Sequence, residues 1–357
     1  MSTPPPMPPQ PSAPAPAFPP AAAPAAMPPA PQAAAPPPAA YQPAPGAFGQ
    51  VPGQVPGQPP GQFPGGQPPM GTPGPGYASP IPVRATTLGD AIRSEWTKIR
   101  SVRSTVWTLV IMFALTVGVG LLFALALSSE DYVGMPLLAG GFFGLMLGQL
   151  CIITLGVLVI TSEYGTGMMR TTLTACPHRG RVLLAKALVF FLLAFSMTLV
   201  ACLLTSLIHS ALLGDQVLPG YAEDDPFMEG SVENGQLVAT TGHWMGATVG
   251  AALYVSLLGL LGLAVGGLLR HSAGAITTMV GVVLLPLLIA LFMVGDSLES
   301  TREKLIQFSP LNGLASLYHI PMDDSDNATG WPLLWLLAGV TLAALLGAYA
   351  RLNATDA

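Results

Sequence analysis

Charge is the scarcest ingredient of this 357-residue sequence. Thirteen Lys and Arg and 18 Asp and Glu make up 9% of the chain, against roughly 25% in soluble proteins. A water-facing surface is not built from so few charges when 51% of the residues are hydrophobic, so the apolar content is assigned to a membrane. The formal net charge of −5 makes no general case for nucleic-acid binding, which wants clustered Lys and Arg. Three cysteines, Cys151, Cys176 and Cys202, are too few for a disulfide-rich secreted scaffold, and reduced thiols are expected. Catalytic motifs are missing as well. There is no G-x-x-x-x-G-K-[ST] phosphate loop, so ATP is not bound here in that way, and neither H-E-x-x-H nor G-x-S-x-G occurs. The five histidines (His178, His209, His243, His271 and His319) lack metal-ligand spacing. No catalytic residue, metal ligand or bound cofactor is therefore expected, and His209 beside Ser210 is read as a packing residue rather than half of an intramembrane protease pair.

What is present falls into two parts. The first 83 residues hold 30 of the 38 prolines and no Asp, Glu, Lys, Arg or His. Such proline density blocks helices and sheet interiors, and few large apolar residues remain to offset ordering entropy. The expectation for 1–83 is a disordered, cytoplasmic, Pro-, Gly-, Gln- and Ala-rich tail of polyproline-II character. No basic n-region precedes an apolar stretch, so it is not read as a signal peptide. Its PxxP stretches resemble ligands of aromatic grooves, though a linker is the simpler reading.

The rest reads as an all-α membrane protein. Six apolar segments, about 105–127, 135–160, 187–213, 245–269, 273–294 and 331–349, each have at least 19 residues and contain no Asp, Glu, Lys or Arg. A helix needs about 20 residues to cross the roughly 30 Å hydrocarbon core. Trp107, Trp244, Trp331 and Trp335 lie near segment ends, where indole favours the interface. Pro286 is expected to kink the fifth span, and Gln149 in the second to bond to a neighbouring helix.

Eleven of the 13 basic residues fall in one alternating set of loops and termini, and 14 of the 18 acids in the other. By the positive-inside rule both termini are cytoplasmic, in a multi-pass protein of the cytoplasmic membrane. The triplet Asn327-Ala328-Thr329 fits a glycosylation sequon but is common by chance. Spans without ionisable groups also argue against a proton-driven transporter; power for transport would come from outside the spans.

Two stretches on the basic side carry more information. Residues 84–104 contain TLGDAIRSEWTKIRSVR, in which Leu88, Ile92, Trp96 and Ile99 share one helical stripe beside Arg93, Lys98, Arg100 and Arg103. Thr87 and Asp90 form a reciprocal cap at its start. This is an amphipathic juxtamembrane helix, either lying on the anionic leaflet or touching a partner through Glu95, Trp96, Lys98, Arg100 and Arg103. The loop 162–186, SEYGTGMMRTTLTACPHRGRVLLAK, reads as a short amphipathic helix over Met168–Leu173 that stops before Pro177.

These two stretches, together with LLRHSAGAITTMVGVVLLP at 268–286, resemble type-2 ATP-binding-cassette exporter permeases, especially actinobacterial ones, over roughly residues 85–357. The resemblance implies that the loop after span two is a coupling helix docking on an ATPase subunit. Glu163, Thr166, Gly167, Arg170, Thr171, Leu173, Pro177 and Arg179 match its recurrent pattern. Gly165 stands where the family commonly has a basic residue, and the tail from Arg351 lacks the usual Arg cluster. The resemblance further implies a re-entrant helical element in the loop 295–330 that closes the outer exit; an ordered but passive loop is the alternative.

The expected function is that of the membrane-spanning permease subunit of an ATP-driven exporter. Its partners would be a separate ATP-binding-cassette ATPase carrying ATP and Mg, a second permease chain in a homodimer, and membrane lipids. The alternative is a non-transporting membrane scaffold or sensor that recruits partners through the Pro-rich tail.

Overall fold

The computed structural model of the chain describes residues 86–129, 134–214, 216–219, 228, 230–320, 322 and 330–355, all within one compact unit, Ser79–Ala357. The Pro-rich tail 1–83, Arg84 and the Asn327 triplet lie outside the described residues. Six helices are long and apolar enough to cross a membrane: α2 (Arg103–Ser128), α3 (Gly141–Thr166), α5 (Arg179–Leu213), the continuous pair α6 (Thr241–Met245) and α7 (Ala251–Leu269), α8 (Ser272–Phe292) and α11 (Trp331–Thr355). Shorter helices frame them: α1 (Leu88–Ser101), α4 (Met168–Ala175), α9 (Glu299–Gln307) and α10 (Pro310–Leu317). A two-stranded antiparallel hairpin, β1 (Val232–Glu233) with β2 (Gln236–Leu237), precedes α6.

Helix ends depart from the apolar segments in an informative way. The second span runs 141–166 and not 135–160, because 137–140 form hydrogen-bonded turns after Pro136. The third begins at Arg179 instead of 187 and has 35 residues; that is about 52 Å of helix against about 30 Å of hydrocarbon. The apolar segments are uncharged as expected, yet the helices that contain them carry Glu163 and Lys186, both buried.

Helices α3 and α7 form the centre. In their most apolar windows 56% and 67% of residues are buried, against 22% in α8 and α11. Membrane helices gain little from mutual apolarity, so close backbone contact through small residues holds them together. A Cβ added at Gly156 on α3 would collide with the carbonyl oxygen of Gly259 on α7, and Gly262 and Gly266 extend the same seam along α7. Trp107 and Trp335, 66% and 72% exposed, turn outward.

At the end remote from α4, residues 295–317 form a 3-10 turn followed by α9 and α10. Ser309 caps the Asn312 N–H and Pro310 opens α10, whose residues Leu311–Leu317 are all buried. Tyr318 packs edge-on to Phe142 of α3 and lies 3.8 Å from Cys202 of α5. Burial raises the Tyr318 phenol well above its ordinary range. Helix α10 is thus part of the core, whereas the 3-10 turn and α9 contain no buried residue. Opposite it, α6 passes into α7 through a π-helical turn, Gly246–Gly250, where a side chain at Gly246 would strike the Leu317 carbonyl. His209 is packed as expected, its ring nitrogens 2.9 and 3.3 Å from the carbonyl oxygens of Gly120 and Leu137. Gln149 is not an interhelical clasp: its amide nitrogen donates to Met146 of its own helix at 3.2 Å.

Candidate functional site

At the α4 end, four charged side chains from three helices meet beneath the surface. Lys186 of α5 donates to Glu95 Oε2 of α1 at 2.7 Å and to Glu163 Oε1 of α3 at 2.9 Å. Lys98 of α1 donates to Glu95 Oε1 at 2.8 Å and to the same Glu163 oxygen at 2.9 Å. The side chains of Lys186, Glu95 and Glu163 are 2%, 4% and 7% exposed, and that of Lys98 is 27% exposed. Lys98 also lies 3.4 Å from the Thr172 hydroxyl, which brings α4 into the same network.

Local structure places these groups. Thr87 and Asp90 form the expected capping box at the start of α1, fixing the rotation of a 14-residue helix. The inward face is Ile92, Glu95 and Ile99, whereas Trp96 is 48% exposed. The stripe expected from apolar residues is therefore turned, because the carboxylate of Glu95 finds two cations inside. Val102 is extended and separates α1 from α2, so Arg100 closes the juxtamembrane helix and Arg103 already belongs to the first span; both are exposed. Glu163 lies in the last turn of α3, where a negative charge opposes the helix dipole, and the two lysines offset that cost.

The charges depend on one another. Burial disfavours the Lys98 ammonium, but hydrogen bonds and attraction from Glu95 and Glu163 outweigh it and hold Lys98 above the ordinary lysine range. Its contribution to stability is therefore complete at neutral pH and is lost only as pH rises through that raised value. A helix sliding against its neighbours would leave a buried charge without a counter-charge, which is far costlier than keeping the set together. The second oxygen of Glu163 is buried with no hydrogen-bond partner among the described residues. Glu163 lines a cavity of about 340 Å³ between α1, α2 and α3, whose other walls include Leu155, Leu158 and Thr108.

The short helix α4 follows directly. Gly167 ends α3 in the left-handed conformation, φ 74°, a geometry that glycine adopts without strain. Thr166 and Thr171 return their hydroxyls to Ser162 and Met168 carbonyls. Helix α4 continues two residues past the expected Leu173 and ends before Pro177. Its inward side is Met169, Thr172 and Leu173, while Arg170, Thr171 and Thr174 face outward. The site residues thus divide: Arg170 and Thr171 are on the surface, Pro177 is the exposed stop, and Glu163 is an interior structural charge. Arg179 opens α5 and donates to the Leu352 and Asn353 carbonyls at 2.6 and 3.3 Å, tying down the end of α11 although the chain lacks a C-terminal Arg cluster. Beside the cluster, Arg270 at the end of α7 stacks 4.9 Å over the Tyr164 ring.

Lys186 was the residue that sequence reasoning missed, since it counted there as one more positive loop charge. A signal did exist. Only 4 of the 18 acids, Asp90, Glu95, Glu163 and Asp356, fall on the basic side, and two of those four are the cluster's carboxylates. No family model matches the chain, and no curated protein matches it.

Proposed function

We propose that this chain is the membrane-spanning subunit of an ATP-driven exporter, and that α4 is where a separate ATPase subunit pushes on it. One observation carries the reading: a short helix with an exposed polar face joins two spans whose roots are locked to α1 by a buried four-charge cluster. Force applied to α4 is passed to α3 through the Gly167 turn and to α1 and α5 through Lys98, Glu163 and Lys186. Such a linkage suits a rigid-body tilt of several helices together. The same reading assigns a second permease chain to complete the path, ATP and Mg to the ATPase, and both termini to the cytoplasm.

Affinity purification of the full, tagged chain from its native membrane is the direct test. The expected product contains a stoichiometric ATPase with a phosphate-loop motif; a preparation that hydrolyses no ATP and contains no such subunit contradicts the proposal.

Orientation is tested separately in a variant with its three cysteines replaced. A cysteine at Glu299 on α9 is expected to react with an impermeant thiol reagent in intact cells, and one at Arg170 only after lysis. The reverse pattern overturns the orientation. Native Cys176 does not serve as the inner reporter, because it is buried.

A further inference from the structure

A second cavity, of about 600 Å³, lies at the start of α5 and is lined by His178, Arg179, Arg181, Leu184, Tyr349 and Leu88 among others. We infer that it holds the phosphate of an anionic phospholipid, with one acyl chain running along Leu184 and Tyr349. This inference goes beyond the exporter reading and does not depend on it.

Three features converge. First, the polar wall is basic, and none of the described residues lining it is Asp or Glu. The Arg181 guanidinium is exposed and donates through one nitrogen to the Thr86 carbonyl at 3.0 Å. That neutral acceptor fixes the side chain in place, and no carboxylate among the described residues pairs with it; a guanidinium has five donors and suits phosphate oxygens. Second, the wall coincides with the first turn of a 35-residue helix, whose N–H groups and dipole favour an anion. Gly180 in that turn has the Tyr349 ring against it, 3.1 Å from where a Cβ would stand, so the aromatic ring borders the same space. Third, the apolar wall faces outward: Leu184 and Tyr349 are 54% and 41% exposed, and Leu184 is one turn further into the span than Arg181. A soluble phosphate would use only the basic wall, whereas a phospholipid uses both. Basic pockets between spans are sites for anionic head groups.

The test is native mass spectrometry of the full chain released from nonionic detergent, with dioleoyl phosphatidylglycerol, dioleoyl phosphatidylcholine and glycerol 3-phosphate as probes. Phosphatidylglycerol is expected to be retained about tenfold more tightly than phosphatidylcholine, a difference well within one charge-assisted contact. Glycerol 3-phosphate is not expected to displace it. Arg181→Glu is expected to abolish the preference, Arg181→Lys to keep part of it, and Arg302→Glu on α9 to leave it unchanged. Melting temperatures measured without lipid confirm that each variant is folded, and Arg181→Gln substitutes if the reversal is not. Equal retention of the two lipids, displacement by glycerol 3-phosphate, or equal losses in the Arg181 and Arg302 variants would each overturn the inference.

Discussion

Glu163→Lys is expected to leave the chain poorly folded, with a melting temperature lower by on the order of 10 °C in detergent. The substitution turns a set of two carboxylates and two ammoniums, linked at 2.7–2.9 Å, into one carboxylate facing three cations. Breaking a buried pair costs about 3–5 kcal/mol because a charge is left without compensation. The clash is with Lys98 and Lys186, the two cations that Glu163 pairs with. Glu163→Gln should cost less, since an amide oxygen still accepts one lysine. The double variant Glu163→Lys with Lys186→Glu restores neutrality and is expected to recover at least half of the lost stability. Melting followed by circular dichroism checks all three. A single variant that melts like the wild type, or a double variant worse than the single, contradicts the assignment of the cluster.

Gly156→Leu is the second large effect. Its side chain would be driven into the Gly259 backbone and the Phe190 ring, and backbone cannot move aside as a side chain can. Overpacking ordinarily costs about 1–3 kcal/mol; here α3 and α7 must separate, so the cost should exceed that range and the protein should lose its single elution peak. Gly118→Leu and Gly339→Leu are the controls, because a Cβ at either meets nothing within 4 Å among the described residues. Both should elute as the wild type does.

The contrast between these sites shows what the sequence carried. Spans are written locally, as apolar runs of sufficient length, and so are the Thr87–Asp90 cap, Gly167 and the proline stop at 177; each depends on residues within a turn or two. The cluster depends on Glu95 and Lys186, 91 positions apart, and no periodicity links them. Lys186 was hidden because a helix that begins before its apolar run looks, in sequence, like a charged loop followed by a span. The rotation of α1 was misread for a related reason: apolar residues define a buried stripe only when the interior is apolar, and the interior that α1 meets contains a lysine. On α4 the inward pair Met169 and Leu173 follows helical spacing, and Arg170 was legible as a surface residue.

The coupling role proposed for α4 is tested most directly by replacing its outward face while leaving the cluster untouched. In the tagged chain, Arg170→Glu combined with Thr174→Glu alters only exposed residues, so melting temperature and membrane insertion should match the wild type. The account predicts that at least fivefold less ATPase copurifies with this variant, or that the bound ATPase is no longer stimulated. Undiminished association together with undiminished ATP hydrolysis would contradict it.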